Sequence, residues 1–168
     1  IGDNFVLAAT VTSLSSSDIA ITTIEKPEGT GVKYTASDMA VGMSFAGYLT
    51  DQFSFGITAK YVSNTFANMS ANGVAFDVGT MYKTGIQGIK LGFSIHNLGT
   101  EQKYMGDGLR TTNKINDALW AAPIDAEYLS YYHNMPIIFR AGISGEVYKD
   151  EQHKVDAAFD FTTLSDTP

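Results

Sequence analysis

Ionisable side chains recur on one face of several predicted strands, and these residues are the ones that could do chemistry. A carboxylate pair with a histidine base would support general acid–base catalysis. No nucleophile elbow, phosphate-binding glycine loop or HExxH spacing accompanies them. We therefore favour a network of salt bridges between neighbouring strands, and expect no enzyme. The residues on this face are Lys60, Asp77, Lys90, His96, Arg140, Glu146, Asp156 and Asp160.

The candidates for metal binding are scattered along the chain. The three histidines, His96, His133 and His153, lie in different segments without the spacing of a ligand set. Residues 106–117 contain several Asp and Asn but lack the acidic spacing of an EF-hand loop. The sequence therefore predicts no metal site and no cofactor.

Composition excludes several classes of protein. The chain has 168 residues and no cysteine, which rules out disulfides, thiolate metal sites and cysteine nucleophiles. Its net charge is −7, and no basic patch of the kind that binds nucleic acid is present. Charged residues make up 17% of the chain, below the roughly 25% typical of soluble proteins.

Apolar and polar residues alternate along seven segments, which is typical of strands with one apolar face. From Phe53, for example, Phe, Phe, Ile, Ala and Tyr alternate with Ser, Gly, Thr and Lys up to Tyr61. The longest apolar run, 118–124, is too short for a membrane helix of about 20 residues. The sequence predicts an all-β antiparallel meander, with strands at 4–12, 38–49, 53–66, 72–83, 89–98, 136–148 and 154–163.

The connections between these strands differ in length at the two ends of the sheet. Short turns (50–52, 84–88, 149–153) fall at one end. Two long loops (13–37, 99–135) and one of five residues (67–71) fall at the other. This arrangement is typical of outer-membrane barrels, whose periplasmic turns are short and whose extracellular loops are long. The strand lengths also suit tilted membrane strands of about 9–11 residues.

Glycine lies mid-strand on the polar face, where it would let the sheet curl tightly. Bacterial single-chain barrels have an even number of strands. We therefore interpret residues 1–168 as one partial barrel domain, an interior fragment of a longer chain. The glycines are Gly42, Gly56, Gly79, Gly92 and Gly142.

Four stretches resemble the PorV/PorQ family of bacterial outer-membrane proteins. They are LTDQFSFGITAKYV, SANGVAFDVGTMYKTG, LGFSIHNLGTEQKY and EYLSYYHNMPIIFRAGISGEVYK. The resemblance covers the chain from about residue 38 to the end. It is carried by the residue patterns of the strand hairpins, not by catalytic residues. It implies a FadL-like barrel in the outer membrane. It also implies work in type IX secretion, in which such proteins receive secreted proteins and pass them to the surface-attachment machinery.

The loop 99–135 is the candidate region for binding a partner, which by the resemblance would be a secreted protein or a secretion-system component. Exposed aromatic and aliphatic clusters suit protein partners, although these residues could instead cover the barrel mouth or form an aromatic girdle. Two other functions remain open: a FadL-like transporter of hydrophobic small molecules, and a soluble β-sandwich binding domain. The candidate binding residues are Leu119, Trp120, Tyr128, Tyr131 and Tyr132.

Overall fold

The computed structural model describes residues 5–86, 88–114, 122–150 and 152–165. Apart from one 3₁₀ turn, Asp107–Leu109, the regular elements in these ranges are strands. No helix in the described residues is long and apolar enough to cross a membrane. The strands are β1 (Phe5–Ser15), β2 (Ile19–Ala20), β3 (Lys33–Tyr34), β4 (Ala36–Tyr48), β5 (Phe53–Phe66), β6 (Met69–Lys83), β7 (Lys90–Gly99), β8 (Arg110–Asn113), β9 (Ile124–Glu127), β10 (Ile137–Lys149) and β11 (Lys154–Ser165).

Seven long strands form one antiparallel sheet in the order β1-β4-β5-β6-β7-β10-β11. They are the seven strands predicted from the alternation of the sequence, so the all-β antiparallel fold is confirmed. The short strands β2–β3 and β8–β9 form two small hairpins inside the two long connections. β1 and β11 are the outer strands of the sheet.

The register places apolar and small residues on opposite faces of the sheet. One cross-strand row runs Phe45, Ile57, Val78, Ile95 and Phe139 across β4, β5, β6, β7 and β10. The adjacent row on the other face runs Gly56, Gly79, Ser94 and Arg140. Because side chains alternate between faces with a period of two, each strand contributes to both surfaces.

The face that carries the glycines is concave. A single groove of about 860 Å³ is lined by residues from all seven long strands, from Val6 on β1 to Thr162 on β11. Four of the predicted mid-strand glycines line it: Gly56, Gly79, Gly92 and Gly142. A flat sheet could not enclose such a groove, and glycine permits the required curvature.

One predicted connection is wrong. Residues 67–71 were expected to form a five-residue loop, but β5 and β6 are joined by two residues, with Ala67 at φ 52°. Met69, Ser70 and Ala71 continue the ladder opposite Phe66, Thr65 and Asn64. The left-handed backbone of Ala67 closes the two-residue turn, and Ser70 also exchanges two backbone hydrogen bonds with Met105. The rim with the two long connections therefore also holds a tight turn.

The buried side chains are concentrated at one place. In the described residues the buried apolar side chains are Ala71 and Ala75 on β6, and the buried polar one is Gln102. These residues lie where the chain that follows β7 folds onto the concave face. The apolar face of the sheet has no covering layer among the described residues.

Candidate functional site

A β-bulge in the middle of the concave face builds the candidate site. Phe76 pairs with Leu98 and Val78 pairs with Ile95, so Asp77 alone faces the two residues His96 and Asn97. Asn97 has φ 65°, a left-handed conformation that asparagine tolerates better than most residues. The bulge therefore brings an imidazole and a backbone amide to one carboxylate.

The carboxylate of Asp77 is held from two sides. Lys60 Nζ lies 2.7 Å from Asp77 Oδ1 and donates to Asn97 Oδ1 at 2.6 Å. The backbone N–H of Asn97 donates to Asp77 Oδ1 at 2.9 Å. The Asn97 side chain also donates through Nδ2 to the carbonyl of Pro136 at 2.8 Å. These contacts fix the position of the carboxylate at the bulge.

His96 and Ser94 extend this network along β7. His96 Nδ1 lies 3.4 Å from Asp77 Oδ2, and His96 Nε2 lies 3.0 Å from the hydroxyl of Ser94. Because Ser94 and His96 are two residues apart on a strand, their side chains share the concave face. A carboxylate, an imidazole and a hydroxyl are thus connected in series.

Ser94 lines the groove of the concave face. Its cross-strand neighbours are Gly79 on β6 and Arg140 on β10, and all three residues line the groove. Arg140 is exposed and has no ion-pair partner among the described residues. Lys90 also lines the groove.

The six residues predicted to form one polar network divide into separate places. Lys60, Asp77 and His96 are in contact at the bulge. Glu146 lies near the short-turn rim, where its carboxylate is 3.8 Å from Lys154 Nζ. Arg140 and Lys90 contact neither group and line the groove instead.

The loop residues predicted to bind a partner are partly described. Leu119 and Trp120 lie outside the described residues. Tyr128, Tyr131 and Tyr132 are all strongly exposed, and Leu129 beside them is 82% exposed. The Lys103 ammonium lies 5.4 Å from the centre of the Tyr132 ring.

The first part of the same loop folds inward. Gln102 exchanges two backbone hydrogen bonds with His133, each of 2.8 Å. Its side chain, 2% exposed, lies over Gly73 on β6, and its Nε2 has no hydrogen-bond partner among the described residues. Residues 100–105 therefore cover the loop end of the concave face, an arrangement that we call the seal.

Sequence reasoning missed Ser94, Asn97 and Gln102. The Ser-x-His spacing on a predicted strand was the available signal for Ser94, since such residues share a face. Asn97 requires the bulge, which depends on the register between β6 and β7. Gln102 requires the path of the loop, which no local pattern fixes.

No group of three or more His, Asp or Glu that could hold a metal ion occurs within the described ranges. The site consists of a serine–histidine–aspartate series beside a groove, with an exposed aromatic loop at one rim.

Comparison of the chain with protein-family models, curated proteins and solved structures finds no match.

Proposed function

We propose that this chain forms wall strands of an outer-membrane β-barrel of the PorV/PorQ type, with its apolar face against lipid. The observation that carries the proposal is the exposed apolar row at the middle of the sheet. Phe45, Ile57, Val78, Ile95 and Phe139 are between 36% and 44% exposed although they lie on the five central strands. Lipid chains would cover such a surface without a second protein layer.

A soluble β-sandwich has less support. In a sandwich a second sheet packs about 10 Å from the first and covers its apolar face. The seven long strands form one sheet, and the two additional hairpins have two strands each. These hairpins belong to the long connections at the rim.

Strand length supports the same proposal. The seven strands of the main sheet have between 10 and 15 residues, whereas strands of globular proteins have a mode of about 5–6. A tilted membrane strand needs about 9–11 residues. The strands are therefore long enough to cross the hydrocarbon layer.

The proposed role is the handling of secreted proteins in type IX secretion or surface attachment. The exposed cluster of Tyr128, Leu129, Tyr131 and Tyr132 supports it, because large aromatic side chains are frequent anchors of protein interfaces. A FadL-like transporter of hydrophobic solutes has less support. A hydrophobic solute would have to pass along the concave face, which carries the charged Lys60–Asp77 ion pair. The seal also covers the loop end of that face.

The test is to express the complete gene that encodes this chain in a bacterium that has an outer membrane and to fractionate the cells. The proposal predicts that the chain is recovered in the outer-membrane detergent extract and migrates differently on gels before and after heating. A freely soluble monomer would contradict it. Capture of a secreted protein that carries a C-terminal signal domain then tests the proposed role separately.

A further inference from the structure

The series Ser94–His96–Asp77 has the arrangement of a hydrolytic site. We propose that the concave face hydrolyses carboxylic esters, with Ser94 as the nucleophile and His96 as the general base. This activity goes beyond the proposed role in secretion, which depends on the loop aromatics and the apolar face. It also departs from the expectation of no enzyme, which considered a carboxylate pair with a histidine and did not include Ser94.

The distances fit the roles of the three groups. A serine nucleophile needs a base within about 2.6–3.2 Å, and Ser94 Oγ lies 3.0 Å from His96 Nε2. The other ring nitrogen of that base needs a group that orients it. Asp77 Oδ2 lies 3.4 Å from His96 Nδ1, and hydrogen bonds of catalytic groups are often long before substrate binds.

Asp77 is suited to act as the positioning residue. Lys60 and the backbone N–H of Asn97 both contact its Oδ1, at 2.7 Å and 2.9 Å. The Asp77 side chain is 20% exposed and that of His96 is 30% exposed. The imidazole is therefore held by a fixed carboxylate on one side and reaches the groove through Ser94 on the other.

The reaction is balanced with water as the only co-reactant. Ser94 Oγ forms a bond to the ester carbonyl carbon while His96 Nε2 takes the hydroxyl proton. The carbon–alkoxy bond then breaks, and the alcohol leaves with that proton. Water, deprotonated by His96, attacks the acyl-serine. The carboxylic acid leaves, and Ser94 regains its proton.

The groove supplies room and charge next to the nucleophile. Gly79, directly opposite Ser94, has no side chain that would block approach to the hydroxyl. Arg140, opposite Ser94 on the other neighbouring strand, presents a guanidinium that is free of ion pairs among the described residues and can stabilise the developing oxyanion. The volume of about 860 Å³ is in the range of small-molecule sites.

Labelling the full chain with a fluorophosphonate, which reacts with activated serines, tests the proposal. In folded protein held in detergent, we expect one adduct, mapped by mass spectrometry to Ser94. We also expect hydrolysis of p-nitrophenyl butyrate that falls about 100-fold or more in Ser94→Ala and in His96→Ala. Ser63→Ala is the matched control, because Ser63 is a half-buried serine of β5 on the opposite face.

Asp77→Asn separates positioning from simple structural support. The variant should lower kcat while KM is unchanged, because Asp77 acts on His96 and not on the substrate. A folded wild-type chain that gives no Ser94 adduct would overturn the proposal, as would a Ser94→Ala variant that hydrolyses the ester at the wild-type rate. Either result would leave the membrane proposal standing, since that depends on the opposite face.

Discussion

The side chain of Gln102 lies directly over Gly73, so that a β-carbon at position 73 would stand 2.9 Å from Gln102 Cγ. Gly73 is thus required by the close approach of the loop rather than by an unusual backbone angle. The buried Nε2 of Gln102 has no partner among the described residues. A buried donor without a partner is unfavourable by about 1–3 kcal/mol, which weakens the seal.

Gln102→Leu should strengthen the seal because it removes the unpaired amide and keeps similar bulk. The measurement is the rate at which a thiol reagent labels Ala75→Cys, a fully buried position two residues from Gly73 on the same face of β6, in a chain without cysteine. We expect slower labelling with Gln102→Leu and faster labelling with Gly73→Val, which displaces the Gln102 side chain. Unchanged rates in both variants would refute the seal.

The Lys60–Asp77 pair should stabilise the sheet mainly because each charge compensates the other. Their side chains are only 18% and 20% exposed, so Lys60→Met leaves a half-buried carboxylate without its cation. We expect the free energy of unfolding in urea to fall by about 1–3 kcal/mol. The double variant Lys60→Met/Asp77→Asn should recover part of that loss. If the double variant is as unstable as the sum of the two single variants, the charges are not coupled.

Asn97 allows its positive φ to be tested separately from its hydrogen bonds. Asn97→Ala and Asn97→Gly both remove the side-chain contacts with Lys60 and Pro136. Only alanine keeps a β-carbon in the left-handed region, which is unfavourable by about 1–2 kcal/mol. Urea unfolding should therefore show Asn97→Ala to be less stable than Asn97→Gly by about that amount. Equal stabilities would indicate that the bulge relaxes.

The loop tyrosines are predicted to bind a partner without supporting the sheet. Combining Tyr128→Ser, Tyr131→Ser and Tyr132→Ser should abolish capture of a secreted protein and leave gel migration unchanged, because all three side chains are exposed. Tyr148→Ser, an exposed tyrosine of β10 on the short-turn side, is the matched control and should bind normally. Full capture by the triple variant would rule out this surface.

The sequence predicted the main strands because alternation is a local signal that survives in every strand. It failed at residues 67–71, because the alternation stops at the small and polar residues there, and nothing in the sequence marks Ala67 for the left-handed backbone that closes the two-residue turn. It placed Lys60, Asp77 and His96 on one face, with Ser94 two residues from His96 on that face, but could not bring Asn97 to Asp77. That contact requires the one-residue shift between Phe76 and Val78, which depends on the pairing of two strands rather than on either strand alone.

The central claim is that lipid contacts the apolar face of the sheet, and one pair of neighbouring residues tests it most directly. Ile57 is 44% exposed on that face, whereas Thr58 lies on the concave face, hydrogen-bonded to Ser44 at 2.8 Å. The measurement is the free energy of unfolding in lipid bilayers. Ile57→Arg should lower it by about 2–4 kcal/mol if position 57 lies near the bilayer midplane, and Thr58→Arg should lower it less. Equal effects of the two substitutions, or a smaller effect of Ile57→Arg, would contradict the account.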